Sequence, residues 1–538
     1  MKIKANYINI TSRSIFPAQI TIEGSKIESI ERIEEDVPHY ILPGFIDSHI
    51  HIESSMLLPA EFAKIAVLHG TVATISDPHE IANVMGIEGV EYMIENGKTV
   101  PFHFYFGAPS CVPATIFETA GDAIDANGIK QLMNHPDIWY LAEVMNYPAV
   151  INNDAEMLLK LQAAKDSGKP IDGHCPAVTG IPLQKYVEAG ITTDHECFTY
   201  DEGLEKLELG MKVLIREGSA AKNFDVLIHL IKLFPGQIMF CSDDKHPDDL
   251  MLGHINQLVK RAIDAGFDLF DVLYAACILP AKHYKLPLGL LNQGDNADFI
   301  VLNDLKSFDV LATYINGICV AENGLSNIET ADFRIINKFN CSPVFPKQLK
   351  VKGKGRVRVI EARNRQLITG SLVEELESRN GELLPSLEKD ILKIVVVNRY
   401  FDAEPSVAFI TNFGLKKGAL ASCVAHDSHN IVAVGTNDED LCQAINLIIE
   451  HFGGISVAHG ENKQALPLPI AGIMTNKPAT EVAEAYTLLD QKVKEMGCQL
   501  DAPFMTLSFM ALLVIPSLKI SDKGLFDGEK FRFTNLNI

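Results

Sequence analysis

A chain of 538 residues exceeds one ordinary hydrophobic core and implies two or three domains. With 47% hydrophobic and 22% charged residues, it has the composition of a soluble globular protein. A formal net charge of -22 argues against nucleic acid or an anionic membrane as main partner and leaves a small neutral or cationic substrate open.

In chain order, residues 2 to 43 alternate apolar and polar in short runs ("AQITIEGSKIESIERI"), the pattern of β-strands. From Ile41 onward, strands alternate with helical stretches. The predicted strands are 41–52, 71–77, 100–108, 138–146, 170–175, 191–197, 212–218 and 238–243. Helical patterns such as "AEFAKIAVLHG", "EIANVMGIEGVEYMIENG" and "AEMLLKLQAAKDSG" lie between them, and several end in Gly, as helix C-termini commonly do. This order predicts an α/β fold, a (β/α)8 barrel over residues 44–283. A doubly wound open sheet is disfavoured, because no glycine-rich phosphate fingerprint follows the first strand.

Strands return at "ADFIVLND", "VLATYINGICVAENG" and "FRIINKF". Residues 1–43 and 284–345 are therefore expected to form one composite β-sandwich domain. The basic run "PKQLKVKGKGRVRVIEA" alternates cations with Val and Leu and reads as a solvated strand face. A C-terminal α/β domain is expected over 350–538, with strands in "ILKIVVVNRY" and "NIVAVGTND" and a helix in "EDLCQAINLIIEHFGG". The uncharged run Ala502 to Ser517 is short for a membrane span, has Pro503 and Pro516 near its ends, and reads as buried core. The first residues, "MKIKANYINITSR", lack a signal-peptide apolar region. The ten cysteines form no C-x-x-C pair, which predicts buried thiols in a reducing compartment, the cytoplasm.

Barrel chemistry gathers at the C-terminal ends of the strands. Those ends carry His49 and His51, Asp77 and His79, Glu143, His174, His195, Arg216, and Asp243 with Asp244. Side chains at i and i+2 share a strand face, so His49 and His51 can grip one cation. His174 and His195, on neighbouring strands, can hold a second, and Glu143 between them in strand order can bridge the two. Imidazole and carboxylate suit Zn, Fe or Mn. Hydroxide bridging such a pair is a strong nucleophile near neutral pH. Asp243 can ligate the first metal and shuttle the nucleophile's proton to the leaving group.

Two competing motifs fail. His51-Ile52-Glu53 matches the H-x-E of zinc deaminases, but no P-C-x-x-C follows to complete that site. "HEIAN" begins like the H-E-x-x-H zinc helix, yet Asn83 stands at the second His position. "SDPHE" could also simply cap the next helix through Asp77, a reading compatible with a site role for His79.

"PGFIDSHIHIE", the strand-four Glu in "AEVMN", the two downstream His and the "SDD" aspartate together resemble the amidohydrolase superfamily of metal-dependent barrel hydrolases. Many members have a carboxylated lysine on strand four, where Glu143 stands here. With "SDPHEIANV", "GHCP", "TTDHE", "REGSAAKN" and "CSDDKHP", and with "AHDSHNIVAVGTND" and "LPLPIAGIM" further on, the chain is similar to the bacterial adenine deaminase family over nearly its whole length. The resemblance implies hydrolysis of adenine to hypoxanthine and ammonia by a metal-bound hydroxide at a binuclear centre of two divalent ions, Mn or Fe before Zn. It implies His49, His51, Glu143, His174, His195 and Asp243 as ligands, Asp243 as proton carrier, and His79 as a stabiliser of developing charge. It also sets Glu80, Arg216 and Asp244 against the purine edge. The implied partner is a small purine, in purine salvage, with the chain as a homo-oligomer.

The rival within the superfamily is a cyclic-amide hydrolase resembling dihydroorotase or imidazolonepropionase. The rival of another class is a non-catalytic barrel assembly protein, which loss of ligands would mark. In "AHDSHN", His426, Asp427 and His429 are metal-competent by type. They are read first as a hydrogen-bonded turn before a strand, and second as a loop over the barrel mouth.

Overall fold

Each predicted barrel strand is present, and the places where the pattern breaks have local causes. The computed structural model describes residues 1–329 and 332–538. The predicted strand 41–52 is two strands, Tyr40–Pro43 and Phe45–Ile50. Gly44 separates them where a Cβ would lie 2.3 Å from a Val72 methyl, so the chain can turn there against the second barrel strand. Tyr40–Pro43 leaves for a different sheet, while Phe45–Ile50 opens the barrel.

The barrel continues through Thr71–Ser76, His103–Ala108, Ile138–Val144 and Ile171–Gly173, paired in parallel, and through Thr193–Asp194, Lys212–Arg216 and Ile238–Cys241, likewise parallel, the two groups meeting where the Thr192 N–H donates to the Ile171 carbonyl at 2.9 Å. It closes where Asp243 N–H donates to the His49 carbonyl at 2.9 Å and His51 N–H donates to the Asp243 carbonyl at 3.3 Å. Alternation divides the strand residues: Val213, Ile215 and Phe240 join one apolar cluster, Leu214 and Met239 another.

The helix expected over "EIANVMGIEGVEYMIENG" is two helices, His79–Met85 and Ile87–Gly97. They part at Gly86, whose φ of 67° lies in the left-handed region and whose Cβ would meet Asp122 at 2.7 Å. Helices Ala155–Ser167 and Val67–His69 end, as the glycines suggest, at left-handed Gly168 and Gly70.

An eight-stranded sheet pairs Tyr40–Pro43 with Lys2–Asn9 on one side and Phe299–Leu302 on the other, so strands from before and after the barrel interleave. Residues 330 and 331 of the expected segment 284–345 lie outside the described residues. "FRIINKF" is not a strand. Its alternation has no pairing edge, and its polar groups turn instead to Arg399, whose guanidinium donates to Asn337 Oδ1 at 2.9 Å and to the Lys338 carbonyl. Beyond it, a second eight-stranded sheet includes Leu392–Val397 and Ile431–Gly435 and packs the helix Asp438–Glu450. Among the described residues, no helix is long and apolar enough to cross a membrane.

Candidate active site

Strand alternation brings His49 and His51 to one face, with their Nε2 atoms 3.2 Å apart. Asp243, two residues past its strand, completes the group. Its Oδ1 is 3.4 Å from His49 Nε2 and 3.2 Å from His51 Nε2. The Asp243 backbone is left-handed, with φ of 55°. That conformation costs a non-glycine residue about 1–3 kcal/mol and persists when its surroundings over-determine it. Here the two bonds that close the barrel do so.

Glu143 stands between the groups. Its Oε1 lies 3.2 Å from His51 Nε2; its Oε2 lies 2.6 Å from His174 Nδ1 and 3.2 Å from His195 Nε2. His195 Nε2 is near that oxygen yet out of line for a hydrogen bond, and His174 Nε2 has no hydrogen-bond partner either. Donor atoms about 3.0–3.4 Å apart are what bonds of about 2.1 Å at right or tetrahedral angles to one ion produce. His49, His51 and Asp243 meet that description, and sets such as His49, His195 and Asp243, and Glu143, His174 and His195, have donor atoms within 4.8 Å of one another. The residues fit divalent cations.

Charge here is held against burial. Burial alone would raise the Asp243 carboxyl, but the Arg216 guanidinium and the bonds with His49 and His51 hold it well below the usual carboxylate range. Glu143 is likewise buried, and His174 and His195 hold it low. His195 is pushed up to about 9, because Glu143 outweighs the burial that lowers it.

Arg216 is 1% exposed and is not among the residues that line the cavity. Its Nη1 donates to Glu196 Oε1 and Asp243 Oδ2, and its Nη2 to Glu196 Oε2 at 2.9 Å. The guanidinium thus pairs with Glu196 and Asp243, and its Nε is buried with no hydrogen-bond partner. Asp244, Glu80 and His79 do line the cavity. His79 Nδ1 lies 3.2 Å from Asp77 Oδ2 and 3.5 Å from Glu143 Oε1, and its Nε2 lies 3.3 Å from Glu80 Oε1. Asp77 Oδ1 also accepts the His79 N–H at 3.1 Å, so the helix-start role and the place in the cavity coexist. Glu53 Oε1 accepts the Ile81 N–H at 3.2 Å, bracing the same helix turn from below; burial pushes this carboxyl up to about 7.

"AHDSHN" is the expected turn, held by His429 N–H on the Ala425 carbonyl at 2.8 Å, and it also reaches the mouth. His426 Nδ1 pairs with Glu80 Oε1, and His429 Nε2 is 2.5 Å from Glu80 Oε2. The cavity is narrow, with about 20 Å³ of free volume, room for about one water molecule. Leu367, Phe509, Leu512 and Val514 form its apolar wall. Three of these belong to the run read only as core, where composition cannot distinguish core from pocket wall. Glu196 was also missed. It follows His195, and alternation would send it outward, but the strand Thr193–Asp194 ends before either residue.

A family model described as "Amidohydrolase family" matches residues 40–320, and one described as "Adenine deaminase C-terminal domain" matches residues 366–532. The adenine deaminase of Sulfurovum sp. is 54% identical over 534 residues, covering 99% of both chains. That of Salinibacter ruber is 51% identical over 536 residues, covering 99% of this chain and 98% of that one. That of Methanosarcina mazei is 48% identical over 543 residues, covering 98% of both.

Proposed function

The chain belongs to the amidohydrolase family and within it to the adenine deaminases, and from that premise we propose how its buried residues turn adenine and water into hypoxanthine and ammonia. Two divalent transition-metal ions, Mn or Fe before Zn, would be held by His49, His51 and Asp243 on one side and by His174 and His195 on the other, with Glu143 bridging. Bound there, they would activate water as a nucleophile near neutral pH.

The remaining chemistry falls to the protein. Water adds across the C6–N1 bond, its oxygen to C6 and one of its protons to N1, and the tetrahedral carbon then expels the amine, which leaves as ammonia with the second proton. Asp243, kept ionised by Arg216, accepts the water's proton and returns it to the leaving nitrogen. His79, raised well above its ordinary range by Asp77 and Glu80 against burial, presents positive charge to the negative charge that builds on the purine ring as C6 is attacked. Glu80 and Asp244 face the purine from the cavity wall. Arg216 acts through Asp243 and Glu196.

The single observation that carries this reading is Glu143, one carboxylate within 3.2 Å of imidazoles from both groups. The testing assay follows ultraviolet loss of adenine together with ammonia release, with adenosine as control. Turnover of adenosine alone, or ring opening of dihydroorotate or imidazolone propionate without adenine loss, would overturn it. The same reading divides the chain into the barrel 44–283, a composite β domain from 1–43 and 284–345, and a C-terminal domain 350–538. It also makes the enzyme a cytoplasmic homo-oligomer, which light scattering on the purified protein tests for assembly.

A further inference from the structure

The mouth of the cavity is built from the C-terminal domain: Leu367, His426, Asp427, Phe509, Leu512 and Val514. Two of these present unspent hydrogen-bonding capacity. His426 is 3% exposed, its ring stacks on Phe509 at 5.2 Å and 21°, and its Nδ1 is fixed on Glu80. Its Nε2 is buried with no hydrogen bond, although Asp244 Oδ1 stands 3.6 Å away. With a carboxylate facing each ring nitrogen, both nitrogens carry protons, and Nε2–H is a donor left over. Asp427 is 2% exposed; its Oδ1 lies 3.6 Å from His79 Nε2, and its Oδ2 is buried with no hydrogen bond. Buried polar atoms without partners are costly, and a pair of them at one cavity wall points to a ligand that satisfies both.

The geometry of a purine identifies that ligand edge. With C6 at the floor formed by Glu143, His195 and Asp243, the N3–C4–N9 edge lies on the opposite side of the ring system and faces the mouth. That edge presents an acceptor, N3, beside a donor, N9–H. His426 and Asp427, adjacent in the chain, present a donor beside an acceptor.

We propose that His426 donates to N3 and Asp427 accepts N9–H, so that the C-terminal domain selects an unsubstituted purine base against N9-substituted purines, nucleosides included. This rests on the adenine deaminase reading above. A substituent at N9 removes the proton that Asp427 needs and points into Phe509, Leu512 and Val514. Sites built to bond a substrate N–H reject analogues lacking it by factors of up to about 10⁴–10⁵, because the protein group is then stranded. His426 is pushed up to about 9, Glu80 and Asp244 outweighing burial, which agrees with a charged donor at this position.

The test compares kcat/KM for adenine and 9-methyladenine in the metal-loaded full chain, with hypoxanthine inhibition as a binding readout. Asp427→Ala should lower kcat/KM for adenine by about 100-fold and weaken hypoxanthine inhibition similarly. The value for 9-methyladenine should change less than about three-fold, so the preference collapses. Asp427→Asn, which keeps an acceptor oxygen, should recover part of the loss. Asp427→Ser provides the same ratio test should Asp427→Ala not fold, while His426→Gln, whose N3 acceptor both substrates share, should lower both alike. Equal losses for both substrates in the Asp427 variants, or an unchanged preference there, would overturn the proposal. Failure of the wild-type chain to release ammonia from adenine would instead overturn the reading on which it rests.

Discussion

Arg216 separates two accounts of the same motif, one in which it touches the purine and one in which it holds Asp243. The perturbation is Arg216→Met, with Arg216→Lys beside it. The guanidinium is 1% exposed and donates to both oxygens of Glu196 and to Asp243 Oδ2. Removing it leaves two buried carboxylates without their permanent cation, a change that costs about 3–5 kcal/mol at comparable buried pairs. On a barrel-sized unit this is a fall of about 6–20 °C in the thermal transition. Freed from its clamp, Asp243 loses both its orientation and the charge that keeps it ionised. Misplacement on the scale of an ångström costs about 100-fold in rate, so kcat should drop by that order while KM for adenine moves less than about three-fold. Lys keeps the charge, but one ammonium cannot span Glu196 and Asp243 in a planar fork, so Arg216→Lys should fall between the two. Steady-state kinetics and differential scanning calorimetry on metal-loaded protein read both effects. A rise in KM with kcat and the melting transition intact would refute the clamp and restore the purine contact.

Three further expectations can be checked directly. Purified protein should carry close to two transition-metal ions per chain by elemental analysis, and Glu143→Gln should lose one or both together with activity; full occupancy and full rate would remove the bridging assignment. Glu118 is pushed up from 4.5 to about 8 by burial, with Asp427 adding to the effect, so the folded chain holds a proton that the unfolded chain releases. Stability should therefore fall as pH rises from about 4.5 to about 8, by at most about 5 kcal/mol, and Glu118→Gln should flatten that slope in melts at several pH values. Lys519 is fully buried and donates to the Leu367 and Phe509 carbonyls at 2.7 and 2.8 Å, tying together two parts of the cavity wall. Lys519→Met strands both carbonyls at about 1–3 kcal/mol each, so it should lower the melting temperature and raise KM for adenine; a silent variant would show that the wall needs no such tie.

The barrel was legible because its rule is local. A strand pattern, a helical pattern and a polar residue at the strand end repeat in order, and position placed His49, His51, Glu143, His174, His195 and Asp243 among the strand-end residues, while the choice of these six as a ligand set came from the family resemblance. The site's electrostatics were not, because they depend on pairs with no periodic relation. His426 reaches Glu80 across 346 positions, and Arg216 reaches Asp243 across 27 with two strand ends between. The reading also failed where alternation was present without a partner: "FRIINKF" alternates well, but its neighbours offer a buried guanidinium rather than a sheet edge.

The charges in the cavity explain why these pairs exist. Its wall includes Glu80, Glu143, Glu196, Asp243, Asp244 and Asp427 against His51, His79, His174, His195 and His426. So many buried carboxylates cannot all remain ionised without cations close by. Protons on imidazoles answer the need in part, but an imidazole that ligates a metal must give up its proton on that nitrogen. Divalent ions can therefore neutralise Glu143 and Asp243 only by removing the protons that His51, His174 and His195 would otherwise contribute. The carboxylates outside the proposed ligand set then need counter-charges of their own. Glu196 has Arg216, and Glu80 has His426, with His429 Nε2 2.5 Å from its other oxygen. That second pairing crosses from the barrel to the C-terminal domain, which makes the domain an electrostatic component of the site as well as its lid. A barrel without residues 350–538 would keep all six proposed ligands and lose the His426 that pairs with Glu80.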